Sequence, residues 1–157
     1  MDFSFGNTLI VDLGARTVRV EDLEESEIRS YIGGSGIGSR LLARHVPRDA
    51  DPLGPDNAVI FAVGPFCGTP VPTSGRHQVL AKSPLTGIFG ECDVGGAWGS
   101  AFRATGFDAL VVKGASDRPV SLVVREGGAS IEDAGDLWGR DTFRSEEHTS
   151  ELQSPNT

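Results

Sequence analysis

The residues best placed to do chemistry converge on an anion. Arg76 follows a loop, residues 69–75, in which Pro70 and Pro72 fix the backbone and give up N–H donors while Thr73, Ser74 and Gly75 add hydroxyls and a permissive chain. A guanidinium presents five donors in a planar fork, which suits a phosphate or carboxylate better than a lysine would. Taken alone, such an arginine is more often half of a surface ion pair. Further on come Asp93, Gly95 and Gly96, before a helix whose face Trp98, Ala101, Phe102 and Thr105 repeats at i, i+3, i+4 and i+7 and which Gly106 ends. A helix opening at Gly95 and Gly96 would leave its first N–H groups clear of side chains, where its dipole favours negative charge. Asp93 has a simpler use as the N-cap of that helix.

The elements that must position these groups are short. Residues 9–12 and 17–21 read as a hairpin around a turn at residues 13–16. An acidic stretch, 21–27, leads into a weak helical turn ending at Ile32. Residues 33–38, GGSGIG, fit neither a dinucleotide fingerprint, since Ser39 and Leu41 break the spacing and no strand precedes them, nor a P-loop, which needs a lysine. Close packing and a flexible entry into the next helix use them more economically. That helix is expected from about Ile37 to Val46, with Ile37, Leu41, Leu42 and Val46 on one arc, His45 packed rather than ligating, and Pro47 as its stop. Residues 48–57 form a turn-rich connector. Residues 58–63 are apolar throughout and read as a buried strand. Strands at 77–82 and 87–91 flank a tight turn, and strands at 109–113, 120–125 and 130–133 follow, the last two joined at Gly127 and Gly128. Trp138 is expected to cover an edge of the core. The whole predicts an α+β, β-rich domain of short, mainly antiparallel strands with two packed helices.

Composition narrows the classes. The chain has 157 residues and a formal net charge of −8, which argues against a nucleic-acid or anionic-membrane surface. No apolar run approaches a membrane span and the start MDFSFGN lacks signal-peptide character, so the expected location is cytoplasmic. Cys67 and Cys92 form no CxxC pair and are expected to be buried free thiols. Residues 144–157 break with what precedes them: they are polar, acidic and aperiodic, and resemble the conceptual translation of a sequencing adaptor. They are read as a disordered tail outside the domain 1–143, and His148 is excluded with them; without them the net charge is −6.

The runs GPFCGTPVPTSGR, KSPLTG, DVGGAWG and TGFDALVVKG, with GGSGIGSRLL and DPLGPDN before them, resemble the amino-terminal domain of the tungsten-dependent aldehyde ferredoxin oxidoreductase family over about residues 9–142. The resemblance implies a β-rich saddle carrying a tungstopterin, a bis-pterin tungsten cofactor whose pterin phosphates are joined by magnesium. By it, Arg76 holds a pterin phosphate, and Asp93 through Gly96 line the pterin and the magnesium. Relatives commonly carry a neutral Asn where this chain has Asp93; the extra negative charge beside phosphates is unfavourable unless a metal cation or Arg76 compensates it, and the swap is tolerable if the contact is through the backbone carbonyl. The resemblance further implies oxidation of an aldehyde substrate to a carboxylic acid with ferredoxin as partner, and is compatible with a homo-oligomer. The 4Fe-4S cluster of the family would be held by cysteines that this sequence does not contain, and its second pterin loop is missing too. The chain is therefore read as a truncated fragment, inactive alone and with no catalytic residue assigned. Two other readings stay open: a non-catalytic module binding a phosphorylated small molecule, and a structural domain whose glycines serve only turns and packing.

Overall fold

Period-two alternation of apolar residues sets the central sheet. In β3 (Ala58–Val63) the side chains of Ala58, Ile60 and Ala62 enter one core cluster while Val63 and, in part, Phe61 enter another on the opposite face. A strand so apolar on both sides belongs in the middle of a sheet, and β3 lies there, between β6 (Ala109–Lys113) and β4 (His77–Lys82). The computed structural model describes residues 5–141; the tail from residue 144, with His148, lies outside the described residues.

The six-stranded sheet has the order β2-β1-β6-β3-β4-β5, where β1 is Asn7–Asp12, β2 Thr17–Asp22 and β5 Phe89–Val94. Its neighbours are antiparallel except β1 and β6, which run parallel with Leu9 beside Leu110. The β1–β2 hairpin forms as the sequence predicts, its turn held by Asp12 Oδ1 accepting the Ala15 N–H at 2.9 Å. A separate hairpin, β7 (Val120–Arg125) with β8 (Gly128–Asp133), turns at Gly127, whose φ of 83° calls for glycine.

Helices complete the layers. α2 (Gly34–His45) crosses one face of the sheet over β3, β4 and β6, burying Ile37 and Leu41 against Ile10, Ile60, Leu80 and Val111. On the other face α3 (Trp98–Ala104) and the β7–β8 hairpin cover Leu9, Val11, Val63 and Leu110. The acidic stretch forms α1 (Glu25–Tyr31), so there are three helices rather than two among the described residues. Glu27 of α1 accepts from both Arg40 and Arg44 of α2 and ties the two together. The expected α+β class and mainly antiparallel pairing are observed. No helix among the described residues is long and apolar enough to cross a membrane.

Two expectations fail here and one holds. Trp138 does not cover the core; it is 78% exposed beyond the last strand. Cys67 is buried, but Cys92 is exposed because it lies in β5, the edge strand of the sheet. His45 is packed as expected, and burial pushes its pKa down although Glu21 opposes this.

Candidate functional site

Glycines bring the site together. Gly33 and Gly34 carry the chain from α1 into α2 while touching the sheet: a Cβ on Gly33 would lie 2.8 Å from Pro65 Cδ, and one on Gly34 2.5 Å from Gln78 Oε1. Gly38 approaches Leu80 more closely still, so the close-packing use predicted for this run is the one observed. The helix nevertheless starts at Gly34 rather than Ile37, because tertiary contact outweighs the low helix propensity of glycine. The consequence is that the amino terminus of a twelve-residue helix comes to rest beside β4.

There a cavity of about 380 Å³ opens between the start of α2, the loop after β3 and the start of β4. Gly34 and Ser35 line it from α2, Phe66 and Thr73 from the loop, and Arg76 and Gln78 from the strand. Among the described residues the Arg76 guanidinium has no carboxylate partner. The first-turn N–H groups of Gly34 and Ser35 likewise have no partner among the described residues, and no side chain caps them. A free planar cation and uncapped helix N–H groups around one cavity suit an oxyanion. The hydroxyls of the loop do not join them: Thr73 Oγ1 donates to Pro72 O at 2.7 Å, and Ser74 Oγ lies 2.8 Å from both Phe66 O and Val71 O. They stiffen the loop instead.

Asp93 is not an N-cap. It lies in β5 opposite Gln78, whose Nε2 donates to Asp93 Oδ1 at 2.7 Å. Glu91, two residues earlier on the same face, accepts from Ser35 Oγ. Gly95 and Gly96 do not open a helix either; α3 begins at Trp98 with Ala97 as its N-cap, and the φ of 91° at Gly96 is incompatible with a helical turn. Neither glycine lines the cavity. The β4–β5 register pairs His77 with Val94, so one further step sets Gly95 opposite Arg76 at the same end of the sheet. A Cβ added at either glycine would meet nothing within 4 Å, so open space lies beside both. Residues 33–35 and Gln78 are the lining groups that sequence reasoning missed; the signal was the glycine run entering an amphipathic helix.

The residue after Arg76 joins an aromatic cluster. His77 is buried, its ring 4.5 Å from that of Trp98 and 6.5 Å from that of Phe61, and burial pushes its pKa down, which keeps it neutral. At the far end of α3, Arg103 Nη1 lies 2.9 Å from Asp108 Oδ1. The other Asp108 oxygen accepts the N–H of Gly6 at 2.6 Å and of Asn7 at 3.0 Å, fixing the entry to β1. A second cavity, about 370 Å³, lies under the β4–β5 turn and is lined by apolar Leu42, Val46, Ile88 and Phe89; its Lys82 ammonium is engaged by the carbonyls of Arg48 and Ala50. No group of three or more His, Cys, Asp or Glu side chains among the described residues could hold a metal ion.

The sequence model of the aldehyde ferredoxin oxidoreductase N-terminal domain matches residues 8–156. Tungsten-containing aldehyde ferredoxin oxidoreductases are 38% identical over 137 residues in Thermococcus kodakarensis and 34% over 143 in Pyrococcus furiosus. These alignments take in 87% and 91% of this chain but 23% and 24% of those proteins. Among solved structures, the active site complex BamBC of benzoyl coenzyme A reductase, in complex with 1,5 dienoyl-CoA, superposes with a TM-score of 0.91 at 30% identity, over 98% of this chain and 24% of that one. The chain thus spans about a quarter of the length of the curated relatives it matches. By its sequence and by its fold, it belongs to the aldehyde ferredoxin oxidoreductase family and corresponds to that family's N-terminal domain.

Proposed function

We propose that this chain is the phosphate-gripping part of a tungsten-bis-pterin oxidoreductase that oxidises aldehydes to carboxylic acids and passes electrons to ferredoxin. The single observation carrying this reading is Arg76, a guanidinium without an acidic partner among the described residues, which lines a cavity that also receives the uncapped start of α2. A pterin phosphate suits that donor set: Arg76 would hold it through its guanidinium fork and the start of α2 through its N–H groups. The tungsten and its pterins, when bound, supply the redox chemistry, and the protein's task is to hold and orient them.

Asp93, Gly95 and Gly96 extend the cradle along the same end of the sheet. The two glycines let a ring approach the backbone closely, with no side chain in the way. Asp93 adds negative charge beside a phosphate. The Gln78 amide takes up one of its oxygens, and a metal cation or the Arg76 guanidinium would compensate the charge. By this reading an iron–sulfur cluster, a second pterin loop and a substrate pocket would lie in the roughly three quarters of the relatives' length that this chain does not span; residues 1–143 would then be part of a longer amino-terminal domain, and 144–157 a foreign tail. Arg76→Ala in the full-length parent is expected to keep the fold and lose pterin and tungsten together. Metal retained at wild-type stoichiometry in that variant would refute the assignment.

A further inference from the structure

On the sheet face opposite α2 the cover stops halfway across. Strand register sets Leu110 of β6, Phe61 of β3, Val79 of β4 and Cys92 of β5 in one row, each beside the next. Val112 and Val59 begin the neighbouring row. These residues alternate with Ile60 and Leu80 of the α2 core, so they look away from α2. Burial falls along the row: Leu110 is 3% exposed beneath the β7–β8 hairpin, Phe61 and Val79 are half-buried, and Cys92 is exposed. Val59 is 40% exposed although β3 is a central strand. Trp98 reaches Phe61, with ring centroids 5.3 Å apart, but covers only that end.

A sheet face turned to water normally carries polar side chains at alternate positions. None of these six residues is charged, in a sequence with 14 basic and 22 acidic residues, so the face is built for a second layer. The layer that exists stops short. Among the described residues β7 and β8 pair only with each other. β8 lies against β2 at the far edge of the sheet, while Leu122 and Val124 of β7 pack on the cluster that holds Leu110. β7 is therefore the hairpin strand nearer the bare half, and its outer edge has no strand beside it. Such an edge is a template for one more strand.

We infer that this face is the docking surface for a further β-strand, apolar on one side, which pairs with the outer edge of β7 and lays its side chains on Val59, Phe61 and Val79. The strand comes from the part of the relatives' length that this chain does not span. It continues the interface that the hairpin begins, and the two layers together exclude water from both inner faces. This rests on the reading of residues 1–143 as part of a longer domain and is independent of the phosphate reading of Arg76.

Cys92 reports on the face without engineering. Labelling by iodoacetamide, read residue by residue by mass spectrometry, is expected to be at least about tenfold slower at Cys92 in the full-length parent than in the 157-residue chain, with or without bound cofactor. Hydrogen exchange of the β7 amides is expected to slow as well. Val59→Thr, which adds only a hydroxyl, is expected to leave Tm unchanged in the 157-residue chain, where water reaches it, and to lower Tm in the parent. Cys92 labelling or β7 exchange that is equal in chain and parent would overturn the inference. So would shielding confined to the cofactor-loaded parent, which would give the face to the cofactor. Shielding already present in a dimer of the 157-residue chain, detected by sedimentation, would give it to a second copy. A parent gene that closes at residue 157 would instead overturn the longer-domain reading, and the strand with it.

Discussion

Replacing Asp108 by alanine removes a side chain that ties the entry of β1, the start of β6 and the end of α3 to one another. Its carboxylate is fully buried, accepts the backbone N–H groups of Gly6 and Asn7, and meets Arg103, whose guanidinium also lies 5.5 Å over the Phe5 ring. Alanine strands the buried Gly6 donor and leaves Arg103, with 15% of its side chain exposed, without this acidic partner. An abandoned buried donor costs roughly 1–3 kcal/mol and a broken buried ion pair about 3–5 kcal/mol, two overlapping quantities that together place the loss at about 3–5 kcal/mol. Set against total stabilities of about 5–15 kcal/mol, this brings the domain close to unfolding at room temperature. Burial pushes the Asp108 pKa up, more than Gly6 and Arg103 pull it down. Its ionised form is therefore costly, and by its own contribution stability rises as acid protonates it. Asp108→Asn, which discards the charge and keeps one acceptor, is accordingly expected to lose only about half as much as alanine. Urea unfolding followed by circular dichroism reads both variants. A loss below about 1 kcal/mol for Asp108→Ala would refute the claim that this residue organises the junction.

Acid should also loosen the α1–α2 junction: Arg44 and Arg40 hold Glu27 down to about 2 from 4.5, so its contribution is complete above pH 4.5 and is lost as the pH falls toward 2. After allowance for solvent screening this is about 1–2 kcal/mol, and Glu27→Gln is expected to flatten that limb of the urea-stability curve. His45 and His77 both have pKa values lowered by burial, so the stability they contribute is complete above pH 6.5 and declines as the pH drops below it. Imidazole NMR titration checks this, with both rings expected to be mostly neutral at pH 6.5. Gly36→Ala ought to gain about 1 kcal/mol of helix propensity, yet its Cβ would overlap the Tyr31 carbonyl oxygen, a backbone atom unable to step aside. A net loss of about 2 kcal/mol or more in urea unfolding is the expected sign.

Local pattern carried the reading of the fold wherever one element could be judged alone. β3 announced itself by an unbroken apolar run, the β1–β2 hairpin by alternation around a turn, and Gly106 by its place after the last helical residue, where its φ is 93°. What escaped depended on distant parts. The parallel pairing of β1 with β6 joins residues about a hundred positions apart and leaves no local trace. β5 begins at Phe89 rather than residue 87 because the turn spends two more residues, with Ser83 N–H donating to Ile88 O and Gly87 at φ 70°. The same shift carried Asp93 out of its expected capping position and into a strand.

The candidate site divides in the same way. Arg76 could be singled out from residue type and loop chemistry. The amides that join it could not, because Gly34 and Ser35 reach it only once Gly38 has let α2 settle on Leu80. Gly95 and Gly96, which sequence alone would make the start of a helix, occupy a bend before α3 instead. The glycine run at 33–38 was legible as packing, but its second consequence, a helix terminus delivered to the cavity, follows only from three-dimensional contact.

Phosphate titration of the nitrogen-labelled chain, followed by NMR, tests the central claim most directly. The amides of Gly34 and Ser35 and the Arg76 Nε resonance are expected to shift together along one saturating curve, and Arg76→Ala to abolish the shifts without changing Tm. Titration to millimolar phosphate with no movement at these three groups, or equal movement in the Arg76→Ala chain, would contradict it.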